Sequence, residues 1–481
     1  MEFETVIGLE VHAQVLTRTK MFCGCTTESA NLPPNSAVCP VCLGMPGVLP
    51  TVNRAAVEKT VMTGLALDCE VPRFNRFDRK NYIYPDLMKG YQISQYELPM
   101  AVRGELTFGG NGSSKRVGIT RVHLEEDTAR LLHRVGPDGE YSLVDVNRGG
   151  IPLMEIVSDP DMRSPDEARQ YLIELRRILR YIGASSGNME EGAFRCDANV
   201  SIRSTDGSFV GPKVEIKNMN SFRAVERALV YEEQRQREAV AANQRLVQET
   251  RGWVEEQGVT VSQREKEYAD DYRYFPEPDL PPLELEDAWV GEIRGRMPEL
   301  PAARRERFEA ELGLSDAEAA LLTEEPQVAD YYERLVSLTG GNVRESANWV
   351  SGELFALARS GGGFEQINVA PEQLADLIEM VGAGEINLRT AKGVLAQVAE
   401  TGRAPREIVA DQGLAQVSDE SMVQAVVADV VAANPQAVAD FKGGKRSAIG
   451  FLIGQVMQRM RGTGNPEIVR RALEHALDEQ T

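Results

Sequence analysis

The chain has 481 residues and a formal net charge of −20, from 53 basic and 73 acidic side chains. A single hydrophobic core rarely grows beyond roughly 250 to 300 residues, so we expect two to four domains. The acidic balance argues against a protein that coats nucleic acid indiscriminately. No stretch approaches the roughly 18 apolar residues of a membrane span, and no signal peptide is recognisable, so we expect a soluble, cytoplasmic protein.

The first predicted element is a strand with one polar face. Between residues 7 and 15 the apolar residues take every second position. Because successive side chains of a strand point to opposite faces, Glu10, His12 and Gln14 should point together, away from the apolar face.

A cluster of cysteines follows this strand. Cys23, Cys25, Cys39 and Cys42 lie within twenty residues of a chain that has six cysteines. Two close thiol pairs joined by a loop are typical of a tetrahedral zinc site. A disulfide pair and free buried thiols are the alternatives, but cytosolic disulfides are rare, so we favour zinc. Four thiolates leave no open position for a substrate, so such a metal would brace the fold.

Later strands show the same alternation. The polar residues that share a face within each strand are Arg121, His123 and Glu125; Asp145 and Asn147; Glu155; Arg195, Asp197, Asn199, Ser201 and Arg203; and Lys213, Glu215 and Lys217. Any antiparallel sheet has a solvated face that needs no function. However, Asp and Asn are poor strand formers. Carboxylates with an imidazole suit Mg²⁺ or Mn²⁺, and nearby Lys and Arg suit phosphates, so this face is a candidate nucleotide site.

The usual nucleotide and hydrolase motifs are missing. Neither Gly-rich stretch, 109–116 or 443–447, fits the phosphate-binding loop, and no Gly-x-Gly-x-x-Gly follows a strand. His12 and His123 have no Gly-x-Ser-x-Gly partner. Any ATP site would therefore be an uncommon one.

The second part of the chain is predicted to be helical. A first helix, from about Ser221 to Thr250, should cross the sheet, and the Pro-rich segment 276–282 reads as an extended boundary. The helices predicted after it are Ala302–Leu312, Asp316–Leu322, Gln327–Leu338, Ser346–Ala358, Pro371–Val381 and Leu388–Glu400. A further helical unit begins near Ala404. Between Phe441 and Arg471 seven basic residues face one acidic residue, so basic character is concentrated near the C-terminus.

Several long motifs resemble one family. Residues 4–12, 145–161, 189–203, 215–223 and 271–280 are similar to segments of the B subunit of the aspartyl/glutamyl-tRNA(Asn/Gln) amidotransferases, the GatB/GatE family. The resemblance continues into the tail at residues 444–457 and at Asn465-Pro466. Such long strings are far more specific than short motifs.

The resemblance implies an α+β fold in three parts. Residues 1–292 would form a mostly antiparallel, cradle-shaped catalytic domain with the zinc-binding element. Residues 293–404 would form an all-α helical domain, and residues 405–481 a small α-helical tail that contacts tRNA.

The resemblance also implies a reaction and its partners. ATP and Mg²⁺ would phosphorylate the side-chain carboxylate of a misacylated Glu-tRNA(Gln) or Asp-tRNA(Asn), and ammonia would then displace the phosphate. The implied partners are a glutaminase subunit that supplies ammonia, a small third subunit, the tRNA, and a non-discriminating aminoacyl-tRNA synthetase. The absence of a glutaminase nucleophile here agrees with this division of labour.

Site residues follow from the matching positions. The family's Mg²⁺ site maps onto His12, Glu155 and the pair Glu125-Glu126, with Glu10 close by. Strand alternation favours Glu125 as the inward carboxylate, but a bulge could reverse this, so both are kept. The residues assigned to phosphate or acyl-end contacts are Asp197, Asn199, Lys217, Asn218, Arg223 and Arg273. The tail candidates for tRNA are Lys445, Arg446, Arg459 and Arg461, each of which could instead be part of a solvated helix face.

Two rival functions remain open. A non-enzymatic adaptor that binds tRNA predicts no ATP turnover. A metal-dependent nuclease built on Glu10, His12, Glu125 and Glu155 predicts RNA cleavage without ATP. The sequence does not decide which misacylated tRNA is used.

Overall fold

The protein is described by a computed structural model that covers residues 2–29, 31–109, 114–137, 139–265, 272–416, 420–443, 445–460, 464 and 466–478. The chain forms two compact units, Met1–Arg304 and Arg305–Thr481. The first unit combines sheets with helices and the second is helical in its described residues, so the predicted α+β class is confirmed.

The first unit is built on an eight-stranded sheet. Its strands, in chain order, are β1 (Phe3–Gln14), β5 (Ala101–Phe108), β6 (Lys115–Glu126), β9 (Pro152–Ser158), β10 (Phe194–Ser204), β11 (Val214–Met219), β12 (Glu249–Val254) and β13 (Val259–Glu265). Their order across the sheet is β13-β12-β11-β10-β1-β9-β6-β5. All neighbouring pairs are antiparallel except β11 and β12, which are parallel.

One face of this sheet is packed with apolar side chains and covered by helices. Ile7, Leu9 and Val11 of β1 are at most 1% exposed and belong to the core of the first unit. The helices of this unit are α1 (Arg54–Ala66), α2 (Pro165–Tyr181), α3 (Phe222–Ala241) and α4 (Asp287–Gly295). Helices α1, α2 and α3 contact strands of the sheet on this face. The polar side chains at alternate positions of the strands therefore lie on the opposite face.

Smaller strands stand beside the large sheet. A three-stranded sheet joins β14 (Phe275–Pro276), β3 (Asp78–Asn81) and β4 (Tyr91–Ser94), in that order. Two further pairs are β2 (Phe74–Asn75) with β15 (Leu283–Glu284), and β7 (Arg130–Gly136) with β8 (Gly139–Asp145). Residues from β4 contact the end of β6, which places them over the polar face.

The second unit contains helices around two hydrophobic cores. The helices that build the first core are α5 (Pro301–Leu312), α6 (Asp316–Leu322), α7 (Pro326–Leu338), α8 (Val343–Asn348), α9 (Phe355–Gly361), α10 (Pro371–Gly382), α11 (Leu388–Thr401) and α12 (Pro405–Gln412). A π-helical stretch, Trp349–Leu354, joins α8 to α9, and a 3₁₀ turn follows at Phe364–Gln366. The helices of the other core are α13 (Glu420–Ala433), α14 (Pro435–Lys442), α15 (Ala448–Arg459) and α16 (Pro466–Asp478).

Within the described residues, no single helix has both the length and the apolar character needed to cross a membrane. Helices α13 and α14 meet those criteria only when Met422–Ala433 and Pro435–Lys442 are taken together, and a bend of 91° separates them.

Some sequence-based expectations are corrected by the fold. The helix predicted from Ser221 to Thr250 ends at Ala241, and Glu249–Val254 is a strand, since the chain turns at Asn243 with a φ of 54°. Helices α1, α2 and α4 were missed. Most of α1 is buried, so it lacks the polar stripe of an amphipathic helix. Helix α2 could have been predicted from its N-cap residue Ser164 and from Pro165 at its first position.

The first unit includes the segment that follows α4. Ile293 is fully buried in its core, and Met297 and Leu300 pack against that core. The compact unit therefore continues to Arg304.

Candidate functional site

An open polar pocket of about 560 Å³ lies on the polar face of the large sheet. Strands β1, β6, β9, β10 and β11 form its floor, and residues near β3, β4 and β14 form a wall. Its floor carries the carboxylates and imidazoles predicted from strand alternation. A pocket of this size accommodates a ligand as large as a nucleotide.

Strand register brings the central side chains into one row. His12 on β1 lies opposite Arg195 on β10 and opposite Glu155 on β9. Glu155 in turn lies opposite His123 on β6. Directly opposed residues of an antiparallel pair share a face, so the row runs across four neighbouring strands.

Three side chains in and beside this row converge closely enough to hold a cation. Ligand atoms of His12, Glu125 and Glu155 all lie within 4.8 Å of one another. The His12 Nε2 atom is 3.2 Å from Glu155 Oε2 and 3.9 Å from Glu125 Oε1. Adjacent ligands of an octahedral Mg²⁺ lie roughly 3 Å apart, for metal–oxygen distances near 2.1 Å. Two carboxylates and an imidazole therefore fit a divalent cation.

The charges of this cluster are strongly coupled. Burial lowers the pKa of His123, but the Glu155 and Glu125 carboxylates outweigh it and raise that pKa to about 9. Burial also lowers the pKa of His12, but the Glu155 and Glu125 carboxylates outweigh it, so that pKa is raised overall. The pKa of Glu155 falls well below its usual range because His123 and His12 outweigh the effect of burial. Positive charge is thus favoured at this point, whether it comes from protons or from a metal.

Glu126 lies apart from the cluster. Its carboxylate accepts hydrogen bonds from Lys89 Nζ and from the backbone N–H of Ile93, at 3.1 Å for the latter. It lines a second cavity of about 210 Å³, next to Lys20 and Cys42. Glu125 instead accepts a hydrogen bond from Ser94 Oγ at 2.9 Å and faces the polar pocket. The structure therefore brings Glu125 to His12 and Glu155, and does not bring Glu126 there.

Other predicted site residues extend the pocket along β10 and β11. The Lys217 ammonium lies 2.5 Å from Asp197 Oδ2 and 3.5 Å from Glu215 Oε1, and all three residues line the pocket. Burial lowers the pKa of Lys217, but these carboxylates raise it overall. Asn199 Nδ2 donates a hydrogen bond of 2.8 Å to Glu10 Oε1, and Glu10 also lines the pocket.

Three predicted residues do not line the pocket. Asn218, Arg223 and Arg273 are exposed and absent from its lining. Asn218 and Arg273 adopt left-handed backbone, with φ of 66° and 45°. Arg223 lies in the first turn of α3.

Several pocket residues were missed from the sequence. His123 was recognised on the polar face but was not chosen as a site residue, although it is 3% exposed and its Nε2 lies 3.3 Å from Glu155 Oε2. A wall of aromatic and basic side chains was missed altogether: Lys80, Tyr82, Tyr96, Tyr272 and Tyr274. The spacing of two residues between Lys80 and Tyr82, and between Tyr272 and Tyr274, could have indicated it.

The four clustered cysteines form a separate site. Their sulfurs lie within 4.8 Å of one another, and the Cys39 and Cys42 sulfurs are 3.9 Å apart. All four are free thiols. Neighbouring sulfurs around a tetrahedral zinc ion are separated by roughly 3.8 Å, given zinc–sulfur bonds near 2.3 Å. The cluster therefore has the dimensions of a four-thiolate metal site.

A buried lysine adjoins these thiols. Lys20 is 1% exposed, and its Nζ lies 3.7 Å from Cys42 Sγ and 3.2 Å from the carbonyl oxygen of Val146. A hydrogen bond from the Cys23 thiol lowers the pKa of Cys42 to about 4. Burial alone would raise this pKa, whereas the nearby Lys20 charge lowers it further. These contacts favour the thiolate of Cys42, the form that binds metals.

Three of the four tail residues predicted to contact tRNA, namely Lys445, Arg446 and Arg459, are exposed. Lys445 Nζ lies 3.6 Å from Asp440 Oδ2, and Arg459 Nη1 lies 3.8 Å from Asp429 Oδ2. Arg461 lies outside the described residues. Lys445 lines an open pocket of about 550 Å³ beside α14 and the start of α15.

Comparisons with known proteins bear on both units. The family model of the GatB/GatE catalytic domain matches residues 5–291, and that of the GatB domain matches residues 330–477. The B subunit of the aspartyl/glutamyl-tRNA(Asn/Gln) amidotransferase of Thermomicrobium roseum is 62% identical over 480 residues, covering 100% of this chain and 99% of that protein. Proteins of the same name from Dehalococcoides mccartyi and Thermodesulfovibrio yellowstonii are 52% and 49% identical, over 99% and 100% of both chains. Since the match spans both units, the chain belongs to the GatB/GatE family.

Proposed function

We propose that this chain is the B subunit of a tRNA-dependent amidotransferase, an ATP-dependent carbon–nitrogen ligase that uses glutamine as amido donor. The observation that carries the proposal is the convergence of His12, Glu125 and Glu155 in a polar pocket, within a chain whose two units both match the family. The substrate is a misacylated Glu-tRNA(Gln), Asp-tRNA(Asn) or both.

The reaction has two steps. A carboxylate is a poor electrophile, so its oxygen first attacks the γ-phosphorus of ATP, and ADP leaves. Ammonia then attacks the acyl carbon of the resulting acyl phosphate, loses a proton, and expels inorganic phosphate to leave the amide. The pocket must therefore accommodate a nucleotide beside the acyl end of the tRNA.

We assign the cation site to His12, Glu125 and Glu155, with Glu125 preferred over Glu126. Mg²⁺ bound there would offset the negative charge of the nucleotide phosphates. His123 positions Glu155, since its Nε2 lies 3.3 Å from that carboxylate. Lys217, oriented by Asp197, can contact a phosphate oxygen, and Asn199 orients Glu10.

The remaining residues are assigned to regions of the tRNA and not to single contacts. Asn218, Arg223 and Arg273 lie outside the pocket lining, where the acceptor end of a large substrate can reach them. Lys445, Arg446, Arg459 and Arg461 are assigned to the tRNA body, which would be held by shape and by the basic tail. The expected protein partners are the glutaminase, which supplies ammonia, and the small third subunit; a non-discriminating aminoacyl-tRNA synthetase would deliver the misacylated tRNA.

The test is conversion of Glu-tRNA(Gln), and in parallel Asp-tRNA(Asn), by this chain assembled with its glutaminase and small subunits. Ammonium chloride replaces glutamine, so that glutamine hydrolysis is not needed. Amide that forms only with ATP and Mg²⁺ is the expected product. An intact complex that converts neither tRNA would contradict the proposal and favour a tRNA-binding adaptor.

The four cysteines are proposed to hold a structural zinc ion. The spacing of the sulfurs supports this, and so does the chemistry of four thiolates, which suits zinc. Two positive charges on zinc leave a net charge of −2 on the centre. The Lys20 ammonium, buried against Cys42, offsets part of it.

Replacing Lys20 with methionine should therefore weaken zinc binding about tenfold to a hundredfold, the usual cost of removing a group that hydrogen-bonds to a metal ligand. Transfer of zinc to a chromogenic chelator measures this directly. Lys115→Met, which removes a lysine paired with Glu167, serves as the control. Wild-type zinc release from a folded Lys20→Met protein would show that Lys20 has no such role.

A further inference from the structure

The cations that line the polar pocket differ in whether a carboxylate contacts them directly. Arg148 and Arg195 both pair with Asp127, and Lys217 pairs with Asp197 and Glu215. Lys80 and Arg121 also line the pocket, but within the described part of the chain neither lies within 4.0 Å of a carboxylate. The Nε atom of Arg121 is buried and has no hydrogen-bond partner there.

Aromatic rings hold these two cations in place. Lys80 Nζ lies 4.9 Å from the centre of the Tyr272 ring and 5.7 Å from that of Tyr82. The Arg121 guanidinium lies 5.7 Å from the centre of the Tyr96 ring. The face of an aromatic ring attracts a cation without cancelling its charge as a carboxylate does. Lys80 and Arg121 are therefore positioned and still able to pair with an anion.

The tyrosines form one continuous surface, here called the tyrosine wall (Tyr82, Tyr96, Tyr272 and Tyr274). The Tyr96 and Tyr274 rings are stacked, 4.3 Å apart with an angle of 10°. Tyr272 meets both Tyr274 and Tyr82 edge to face, at 6.1 Å and 5.7 Å. Lys80 thus lies towards one end of the wall and Arg121 towards the other, so the anion they attract can be an extended one.

We propose that Lys80 and Arg121, held against the tyrosine wall, form a phosphate-binding subsite of the pocket. This inference rests on the proposed function, because it assigns the subsite to a substrate of that reaction. Two sources of phosphate are present in the reaction: the triphosphate of ATP and the phosphodiesters of the tRNA acceptor end. The triphosphate is favoured, since the pocket that these two cations line also contains the His12, Glu125 and Glu155 cluster.

The test compares Arg121→Met and Lys80→Met with the wild-type chain, each assembled with the glutaminase and small subunits. Calorimetry measures the binding of inorganic tripolyphosphate and of ATP. We expect each substitution to weaken both about tenfold to a hundredfold, as for loss of a hydrogen bond to a charged group. Arg121→Lys and Lys80→Arg should recover part of the affinity.

Matched controls come from the same strand as Arg121. Lys115 pairs with Glu167 and Arg116 with Glu105, and neither lines the pocket. Lys115→Met and Arg116→Met should bind both anions as the wild type does. Assembly into the three-subunit complex confirms that each variant is folded.

The KM values for ATP and for aminoacyl-tRNA identify the source of the phosphate. A raised KM for ATP assigns the subsite to the nucleotide, and a raised KM for the tRNA alone assigns it to the acceptor end. Unchanged anion binding and unchanged KM values in both methionine variants would overturn the subsite. If no enzyme form made amide but the methionine variants still lost tripolyphosphate binding, the proposed function would fail while the subsite stood.

Discussion

Alanine in place of His12 or Glu155 is expected to abolish amide formation by the assembled enzyme, a loss of about a hundredfold or more. Each substitution removes one of the three proposed ligands, whose ligand atoms lie within 4.8 Å of one another. His12→Ala also removes the imidazole that contacts both Glu125 and Glu155. Glutamine hydrolysis by the glutaminase should largely persist, since its nucleophile is not on this chain.

The measurement separates the two activities. Amide on the tRNA and glutamate released from glutamine are followed in the same reaction, and Mn²⁺ binding is titrated by electron paramagnetic resonance. His133→Ala is the matched control, because His133 is exposed and contacts Ser142 on the β7–β8 hairpin. Normal transamidation by both alanine variants at ordinary Mg²⁺ concentrations would disprove the cation site.

The neighbouring glutamates can be separated in the same assay. Glu125→Gln should lose Mn²⁺ binding, whereas Glu126→Gln should keep it, since the Glu126 carboxylate is bound to Lys89 and the backbone of β4. The reverse result would show that Glu126 is the ligand.

Serine in place of Cys39 is expected to lower the zinc content from one equivalent towards zero. The free energy of unfolding should fall by more than about 2 kcal/mol, because a structural metal contributes its binding energy to folding. The loop between β1 and α1 consists of turns and has little core of its own: between residues 23 and 52, Ala37 is the one buried residue among those described. Elemental analysis and thermal unfolding give the two quantities.

Cys69→Ala provides the comparison for this substitution. Cys69 is buried in the same unit but lies outside the cysteine cluster, so its removal should leave zinc content unchanged. Full zinc occupancy in Cys39→Ser would rule out the four-thiolate site.

Strand alternation predicted which side chains face the pocket. Glu10, His12, Glu125 and Glu155 line it as their position in the sequence indicates, because a side chain on a regular strand has only two directions to take. Asn218 and Arg273, which were assigned from the family resemblance and not from strand alternation, do not line the pocket, and both have left-handed backbone. Strand alternation gives no information about distant segments that fold over the sheet, such as those that contain Lys80 and Tyr274.

Helix prediction succeeded where helices have one polar face. Asp316–Leu322 matches α6 at both ends, and the predicted start and end of α10 and α11 differ from the structure by at most one residue. The segment predicted as Ser346–Ala358 is instead split among α8, a π-helical stretch and α9. A π-helical turn changes the hydrogen-bonding step without changing the apolar pattern much, so the sequence reads as one helix.

The sequence by itself determined the cysteine cluster and the polar face of several strands, because these depend on residue spacing within a short segment, whereas the α+β class followed from the family resemblance. Only the tertiary structure decided the strand order that sets His12 opposite Glu155, and Glu155 opposite His123. Residues 12, 123 and 155 are far apart in sequence, and local periodicity carries no information about which strands become neighbours. Their pairing depends instead on how helices and connections pack around one core.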